Sequence, residues 1–161
     1  MTNIIEIEKL ALDLDMGKRL LGIDLGSKTI GLATSDLSNN IATPLMTLKR
    51  KKFGENVIEL NQIIEDNSIY ALIIGLPKNM DNSEGPRCQA TRAFVRNLAN
   101  VKIGPVCFWD ERGSTIAVTK TLIEADVSRS KRKEVVDKLA AGFILQGALD
   151  RICGIRKNIG I

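Results

Sequence analysis

The chain has 161 residues and a formal net charge of +4, with 44% hydrophobic, 26% charged and 4% aromatic residues and no histidine. This length and composition favour a single globular domain. The lack of histidine excludes imidazole acid–base chemistry and a Ser-His triad, and the low aromatic content argues against a binder that stacks many bases.

Clusters of basic residues carry the positive charge. They lie at 49–52, at 129–133, and at Arg151 with Arg156 and Lys157. Such clusters fit a polyanionic partner, because each phosphate that they neutralise releases counterions. Solvated loops that keep a small protein in solution explain the same runs, and charge alone leaves both interpretations open.

The cysteines and the first residues bear on the compartment. Cys88, Cys107 and Cys153 lie far apart and form no CxxC pair, which argues against a disulfide framework or a zinc ribbon and fits a reducing cytosol. Residues 1–14 mix acids with isoleucine and leucine, a pattern typical neither of a signal peptide nor of a membrane span. We therefore expect a cytoplasmic location and no membrane partner.

The first 18 residues are predicted to be an extension that precedes a domain at 19–157. Within the extension, Ile4, Ile7 and Leu12 loosely follow helical spacing. We expect this segment to be a short helix or to be disordered.

Strand patterns begin at Leu20. The apolar run 20–24 ends in an acid and is followed by Gly26, which predicts a buried strand and a tight turn. Residues 30–34 follow too soon for a helical crossover and are predicted to pair antiparallel with the first strand. A third strand, at about 41–48, continues the meander and ends in the first basic run.

Helix and strand patterns alternate in the rest of the chain. Three antiparallel strands followed by alternating helix and parallel strand predict an α/β protein with a mixed five-stranded sheet and flanking helices. This is the layout of the ribonuclease-H-like fold. The predicted helices are 55–66, one from Pro86, 114–124 and 131–151, and the predicted strands are 69–76 and 106–109.

Two strand ends in this layout carry acidic residues. Asp24 ends the first strand, and Asp110 with Glu111 ends the last one. If these strands are neighbours in the sheet, their carboxylates emerge at the same edge, where open α/β sheets place their sites.

A third carboxylate, Asp137, lies at the margin of the apolar side of the last predicted helix, just before Ala140 and Ala141. A carboxylate there is costly unless it is paired or bound to a cation. The spacing leaves open a salt bridge to Lys133 or Lys138 as well as a metal.

Carboxylates at strand ends without histidine suggest magnesium, because hard divalent cations take oxygen ligands. Two such ions about 3.5–4 Å apart can activate a water and stabilise the leaving oxygen of a phosphodiester. If the protein is a nuclease, metal must therefore supply the chemistry.

Two further segments suggest phosphate binding. The turn Gly26-Ser27-Lys28-Thr29 offers backbone N–H groups and a lysine beside Asp24, although a plain hairpin turn also favours glycine. Ser114 or Thr115 is predicted to begin a helix, whose N-terminus attracts anions, and a simple capping role explains the same residue.

Four stretches of the sequence resemble the YqgF/RuvX family, the Holliday-junction-resolvase-like proteins described as pre-16S rRNA nucleases. Together they span nearly the whole chain after residue 19, and their order and spacing are far more specific than any one of them. The resemblance implies a bacterial cytoplasmic protein with the ribonuclease-H-like fold that trims the 5′ end of precursor small-subunit ribosomal RNA. The stretches are LLGIDLGSKTIGLATSD at 20–36, IIGLPKNMDNSEGPR at 73–87, WDERGST at 109–115 and VDKLAAGFILQ at 136–146.

The resemblance also implies a magnesium- or manganese-dependent site whose acids match Asp24, the Asp110-Glu111 pair and Asp137. We favour Glu111 over Asp110 as the ligand from the last strand. The loop 77–85 corresponds to a family signature and is expected to border the substrate channel. The candidate substrate-binding residues are Lys28, Asn79, Arg112, Ser114, Arg129, Lys131, Arg132 and Lys133.

The sequence departs from the family pattern in two places. Gly113 stands where the family usually has a larger apolar residue, which could loosen the start of the following helix. Residues 1–18 lie before the usual start of the family. Neither departure removes a carboxylate.

The leading hypothesis is a metal-dependent phosphodiesterase that acts on structured RNA, either free or within a pre-ribosomal particle, as a monomer or a homodimer. A close variant changes only the substrate, to branched DNA junctions. The alternative from another class is a non-catalytic nucleic-acid-binding or ribosome-assembly factor on the same scaffold. An ATP binder of the actin-like kind needs two such domains, which 161 residues do not supply.

Overall fold

The computed structural model describes residues 3–15, 17–101, 103–111 and 129–160, and one mixed β-sheet is at its centre. The strands are β1 (Arg19–Leu25), β2 (Thr29–Ser35), β3 (Ala42–Lys49), β4 (Ile69–Leu76) and β5 (Val106–Asp110). The sheet order is β3-β2-β1-β4-β5, with the β3-β2 and β2-β1 pairs antiparallel and the β1-β4 and β4-β5 pairs parallel. The predicted ribonuclease-H-like sheet is confirmed.

The strand order differs from the arrangement considered from the sequence in one respect. The two strands that end in acids, β1 and β5, are not neighbours, because β4 lies between them. Their carboxylates can therefore meet only across β4.

Burial explains why the strands have these sequences. β1 and β4 are buried along almost their whole length, which fits their nearly continuous apolar runs and their central places in the sheet. β3 is an edge strand, is mostly exposed or half-buried, and contains Pro44, which an edge strand tolerates.

Among the described residues, four helices pack against the sheet: α1 (Ile7–Asp13), α2 (Phe53–Asp66), α3 (Pro86–Leu98) and α4 (Arg129–Asn158). Within the described ranges, no helix combines the length and the apolar character that a membrane crossing requires. The helix predicted at 114–124 lies outside the described residues.

The two faces of the sheet bury separate apolar clusters. On one face, Leu21 and Ile23 of β1 pack with α2 and α3, for example against Leu60 and Val95. On the other face, the alternate residues of the strands, such as Leu20, pack against α4 and α1. This division follows from the alternation of side chains along a strand.

α4 approaches β1 closely at Gly22. A Cβ atom at this glycine would lie 2.7 Å from the Leu145 Cβ and 2.9 Å from the Ala141 carbonyl oxygen. Since real Cβ contacts are longer than this, only glycine allows α4 to lie so near the strand. The close approach fixes α4 over the part of β1 that leads to Asp24.

The N-terminal segment joins the fold at two places. Ile4 bridges to Val106 as a parallel addition to the edge of β5, and the Ile5 N–H donates to the Val106 carbonyl at 2.8 Å. α1 packs on α4, where Arg156 Nη1 donates to the Ala11 carbonyl at 2.7 Å and to the Leu14 carbonyl at 3.1 Å.

Candidate active site

Two acidic side chains are buried at the end of the sheet where β1 and β5 stop. Asp24, the last residue but one of β1, is 3% exposed, and Glu111, directly after β5, is 7% exposed. Asp24 lies two residues beyond Gly22, so it faces the side of the sheet that α4 covers. Glu111 lies on the same side, since its carboxylate and the side chain of Ile144 from α4 both adjoin Gly75.

Gly75 of β4 makes the meeting of these carboxylates possible. β4 separates β1 from β5, and Gly75 pairs with Trp109 in the register of the two strands. A Cβ atom here would lie 2.8 Å from Glu111 Cδ and 2.5 Å from Ile144 Cδ1. The absent side chain therefore leaves the space that Glu111 occupies beside Asp24.

The electrostatics of the pair are unfavourable for two negative charges. Burial raises the pKa of Glu111 from 4.5 to about 8, and the nearby charge of Asp24 is the next largest cause. A hydrogen bond between the two carboxyl groups raises this pKa further, whereas the positive charge of Arg87 lowers it. Without a cation, burial and mutual repulsion therefore favour the state in which the pair shares a proton.

Asp110 and Glu111 have different environments although they are adjacent. Asp110 is exposed and is the last residue of β5, whereas Glu111 is buried against Gly75. Side chains alternate along a strand, so the two carboxylates leave it on opposite sides. Of the two acids, Glu111 is the one that the structure brings to Asp24.

Asp137 lies in the described backbone of α4, and its side chain lies outside what the structure describes. It precedes Ile144 by seven residues, or about two helical turns, so the two positions share one face of the helix. Ile144 contacts the position of Gly75. The helix face that carries Asp137 is therefore the one that packs over the site side of the sheet.

The carboxylate pair has the donor chemistry of a site for a hard divalent cation, because it offers oxygen ligands whose mutual repulsion a cation would remove. Among the described side chains, no group of three or more possible metal ligands comes together. The described part of the site thus supplies two acids.

Lys28 belongs to the turn that follows β1. The Gly26 N–H donates to the Thr29 carbonyl at 2.9 Å, which closes the predicted tight turn. The side chain of Lys28 is exposed on this turn. The turn is tied to the end of β3, since Arg50 donates from Nη1 to the Gly26 carbonyl at 2.8 Å.

The loop 77–85 is ordered by its own polar groups. Asn79 Nδ2 donates to Ser83 Oγ at 2.9 Å, so the amide of this candidate residue bonds within the loop. Glu84 accepts two hydrogen bonds from Arg92 of α3, at 2.6 and 2.8 Å. The loop is therefore fastened to α3 through Glu84 and Arg92.

The sequence analysis missed two residues of this site. Gly75 and Arg87 both lie inside the stretch 73–87 that resembles the family. Gly75 interrupts an otherwise apolar central strand, and such a glycine often marks a close approach. Arg87, in the first turn of α3, is the described cation whose charge opposes the raised pKa of Glu111.

The remaining candidate residues lie at 112–114 in the sequence and at the start of α4. Arg112 and Ser114 lie outside the described residues. Arg129 begins α4 and is followed in the same helix by Lys131, Arg132 and Lys133, whose side chains lie outside the description.

Buried carboxylates at the ends of β1 and β5 of a ribonuclease-H-like sheet fit a hydrolase that acts on the phosphodiester bonds of nucleic acids. A family model described as RuvX, Holliday junction resolvase, matches residues 18–151. The chain belongs to this family.

Relatives agree with this assignment, and a solved structure shares the fold. A protein of Methylocella silvestris is 56% identical over 149 residues, which are 92% of this chain and 92% of the relative. One of Beijerinckia indica subsp. indica is 52% identical over 157 residues, 98% of this chain and 95% of the relative. Both carry the name "Putative pre-16S rRNA nuclease". The yeast mitochondrial Holliday junction resolvase shares the fold, with a TM-score of 0.50 at 12% identity over 94% of this chain and 86% of that one.

Proposed function

We propose that this protein is a divalent-cation-dependent nuclease that processes the 5′ end of precursor 16S rRNA in the bacterial cytoplasm. The observation that supports this most is the buried pair of Asp24 and Glu111, which meet across Gly75 and repel each other when both are charged. The names of the relatives support the choice of RNA substrate.

The proposed ligands of a magnesium or manganese ion are Asp24, Glu111 and Asp137. Carboxylate oxygens are the ligands that these hard cations prefer. A bound divalent cation supplies positive charge for a phosphate oxygen and lowers the pKa of water, so that hydroxide becomes available near neutral pH. Asp110 is left out of this ligand set because its side chain is exposed and leaves β5 on the opposite side.

The other residues of the site would bind and orient the substrate. Gly75 leaves the space in which the carboxylates come together, and Ile144 closes the site on the side of α4. Lys28 is exposed on the turn beside Asp24, where its charge would neutralise a backbone phosphate. Such contacts add affinity and register but little sequence choice. The same role is proposed for Asn79, Arg112, Ser114, Arg129, Lys131, Arg132 and Lys133.

The partner proposed from this arrangement is structured RNA, either free or within a pre-ribosomal particle. Phosphate contacts by the basic residues would make binding strongly dependent on salt.

The experiment is cleavage of an end-labelled precursor 16S rRNA fragment that contains the mature 5′ end, with magnesium or manganese. A four-way DNA junction is assayed in parallel, because the family model is described by that substrate. We expect cleavage of the RNA at a defined position, abolished by a chelator and by Asp24→Asn.

A matched control is Asp66→Asn, which removes an exposed carboxylate at the end of α2 and should leave cleavage unchanged. Cleavage of the junction alone would move the substrate to DNA. Salt-sensitive binding of RNA without cleavage by the wild-type protein would refute the nuclease proposal in favour of an assembly factor.

A further inference from the structure

The link between β3 and α2 carries the basic run 49–52, whose four side chains are all exposed. The backbone of this link is held by Asn56, which is 1% exposed. Asn56 Oδ1 accepts from the Lys51 N–H at 2.9 Å, and its Nδ2 donates to the Lys49 carbonyl at 3.0 Å. The cations of the run are therefore presented on a fixed backbone and not on a loose loop.

Arg50 connects this basic run to the turn beside the carboxylate pair. Its N–H donates to the Lys28 carbonyl at 2.9 Å, and its Nη1 donates to the Gly26 carbonyl at 2.8 Å. Gly26 lies two residues after Asp24. A strand of nucleic acid that passes Lys28 would therefore meet Arg50 next.

A cleft lies beside Arg50, between the start of α2 and the side of α3. The guanidinium carbon of Arg50 lies 5.7 Å from the centre of the Phe94 ring, and Phe53 packs edge-to-face on that ring at 5.4 Å between centres. The cleft has a volume of about 260 Å³, just below the roughly 300–1,000 Å³ of pockets for drug-sized ligands. It is lined by Arg50, Lys51, Phe53, Asn56, Ala90, Ala93, Phe94 and Asn97.

We propose that this cleft binds a single unpaired nucleotide of the RNA substrate, outside the carboxylate site. The base would stack against the Arg50 guanidinium and Phe53, and its phosphate would bind Lys51. The proposal rests on the proposed function for the identity of the nucleic acid, and it adds that the substrate must have a single-stranded nucleotide near the cleavage site.

The chemistry of the lining supports this occupant. Unpaired bases stack on aromatic rings and on guanidinium planes, and such stacking tolerates any base. Ala90 and Ala93 leave the slot open because their side chains are small, and the exposed Asn97 offers an amide at the rim. Bases inside a duplex are stacked on each other, so only an unpaired base can enter.

Lys51 is available to a phosphate. Its Nζ lies 3.5 Å from Glu59 Oε1, and the lysine side chain is 47% exposed. An ion pair this exposed is weak, so a phosphate can replace the carboxylate at little cost. An acidic protein segment would be attracted by the same cations, but its carboxylates would not stack on the Arg50 guanidinium and Phe53.

The experiment measures binding in the presence of a chelator, so that it does not depend on cleavage. A short single-stranded RNA with 2-aminopurine at one internal position is titrated with protein, and anisotropy and 2-aminopurine emission are recorded. Asn97→Asp should weaken binding at least about fivefold, because it places a negative charge at the cleft where base and phosphate bind. Ala93→Phe, which fills the slot without a change of charge, should abolish the change in emission.

The matched control is Asn100→Asp, which makes the same change of charge at an exposed position three residues further on, outside the cleft lining. Lys51→Gln should reduce the salt dependence of binding by about one phosphate contact, and Lys9→Gln on α1 should not. Equal affinities of Asn97→Asp and Asn100→Asp would overturn the proposal. An unchanged emission response in Ala93→Phe would do so as well.

Three further outcomes test which occupant the cleft takes and separate this proposal from the proposed function. If Ala93→Phe weakens binding of a blunt duplex as much as of the single strand, the cleft does not select an unpaired nucleotide. If an acidic peptide displaces the RNA and its binding is equally sensitive to Asn97→Asp, the cleft is a protein-binding site. If the variants show the expected differences in binding but the wild-type protein cleaves no RNA, the cleft proposal stands and the nuclease proposal fails.

Discussion

The two faces of the central sheet use their side chains differently. Towards α2 and α3, β1 presents Leu21, Ile23 and Leu25, large apolar residues that continue to the end of the strand. Towards α4, the same strand presents Leu20, then Gly22 and then Asp24. On one face the strand carries large apolar side chains along its whole length. On the other face a glycine without a side chain, Gly22, precedes the buried carboxylate of Asp24.

This difference assigns stability and chemistry to opposite faces. A fully packed face contributes to folding in proportion to the apolar area that it buries. Glycines on the other face let α4 come close and leave space for buried acids, which disfavours folding when both acids are charged. Substitutions on the two faces should therefore have separable effects on stability and on cleavage.

The largest effect is expected from a comparison of two adjacent acids. Glu111→Gln should reduce cleavage by about a hundredfold or more, because a bound cation contributes several kcal/mol to such a reaction and would lose a ligand. Asp110→Asn changes an exposed carboxylate on the opposite side of β5 and should retain activity. Rates at saturating magnesium decide this, and the reverse order of the two variants would contradict the assignment of Glu111.

A core substitution on the α2 and α3 face should affect stability alone. Leu60 is 0% exposed, so Leu60→Ala should lower the free energy of unfolding by about 2–5 kcal/mol. Cleavage per folded molecule should not change. Ile58→Ala is the matched control, because Ile58 lies on the same helix and is 71% exposed. Urea denaturation measures the stabilities, and a large loss of activity in folded Leu60→Ala would contradict the separation of the faces.

A glycine substitution on the α4 face should affect both properties. Gly75→Ala places a Cβ atom 2.8 Å from Glu111 Cδ and 2.5 Å from Ile144 Cδ1, so one of these side chains must move. We expect a loss of about 1–3 kcal/mol of stability from overpacking, together with reduced cleavage.

The control for this substitution is Gly54→Ala in α2. No atom lies within 4 Å of the added methyl group there, so the change should stabilise the protein by roughly 0.5–1 kcal/mol through helix propensity. If Gly75→Ala were as stable and active as the wild type, Gly75 would not be the reason that the carboxylates can meet.

The sequence predicted most of the fold and part of the site. The apolar runs of β1 and β4 are unambiguous because central parallel strands are buried on both faces, and β4 has the predicted bounds of 69–76. Sequence could not place β4 between β1 and β5, since strand order depends on how the connections cross the sheet. It also left Asp110 and Glu111 as alternatives, because only the register of β5 decides which face each residue takes.

The smallest effect is expected at Asp36, a carboxylate outside both faces whose pKa shift has the opposite sign to that of Glu111. A backbone hydrogen bond from Ile41 is the largest cause that lowers the Asp36 pKa below 3.8, and the Asn40 N–H adds a second. A lowered folded-state pKa means that the stabilisation is fully present above pH 3.8 and is lost as the pH falls through the folded value.

Asp36→Ala should therefore cost less than about 1 kcal/mol at neutral pH, because the side chain is partly exposed, and the difference from the wild type should shrink in acid. Urea denaturation at neutral pH and in acid measures this difference in the free energy of unfolding. Asp36→Asn keeps an acceptor oxygen without the charge, so its stability relative to Asp36→Ala should not depend on pH. A wild-type advantage that is equally large in acid would show that the turn is held by geometry and not by the charge, and the contrast with Glu111 would then rest on burial alone.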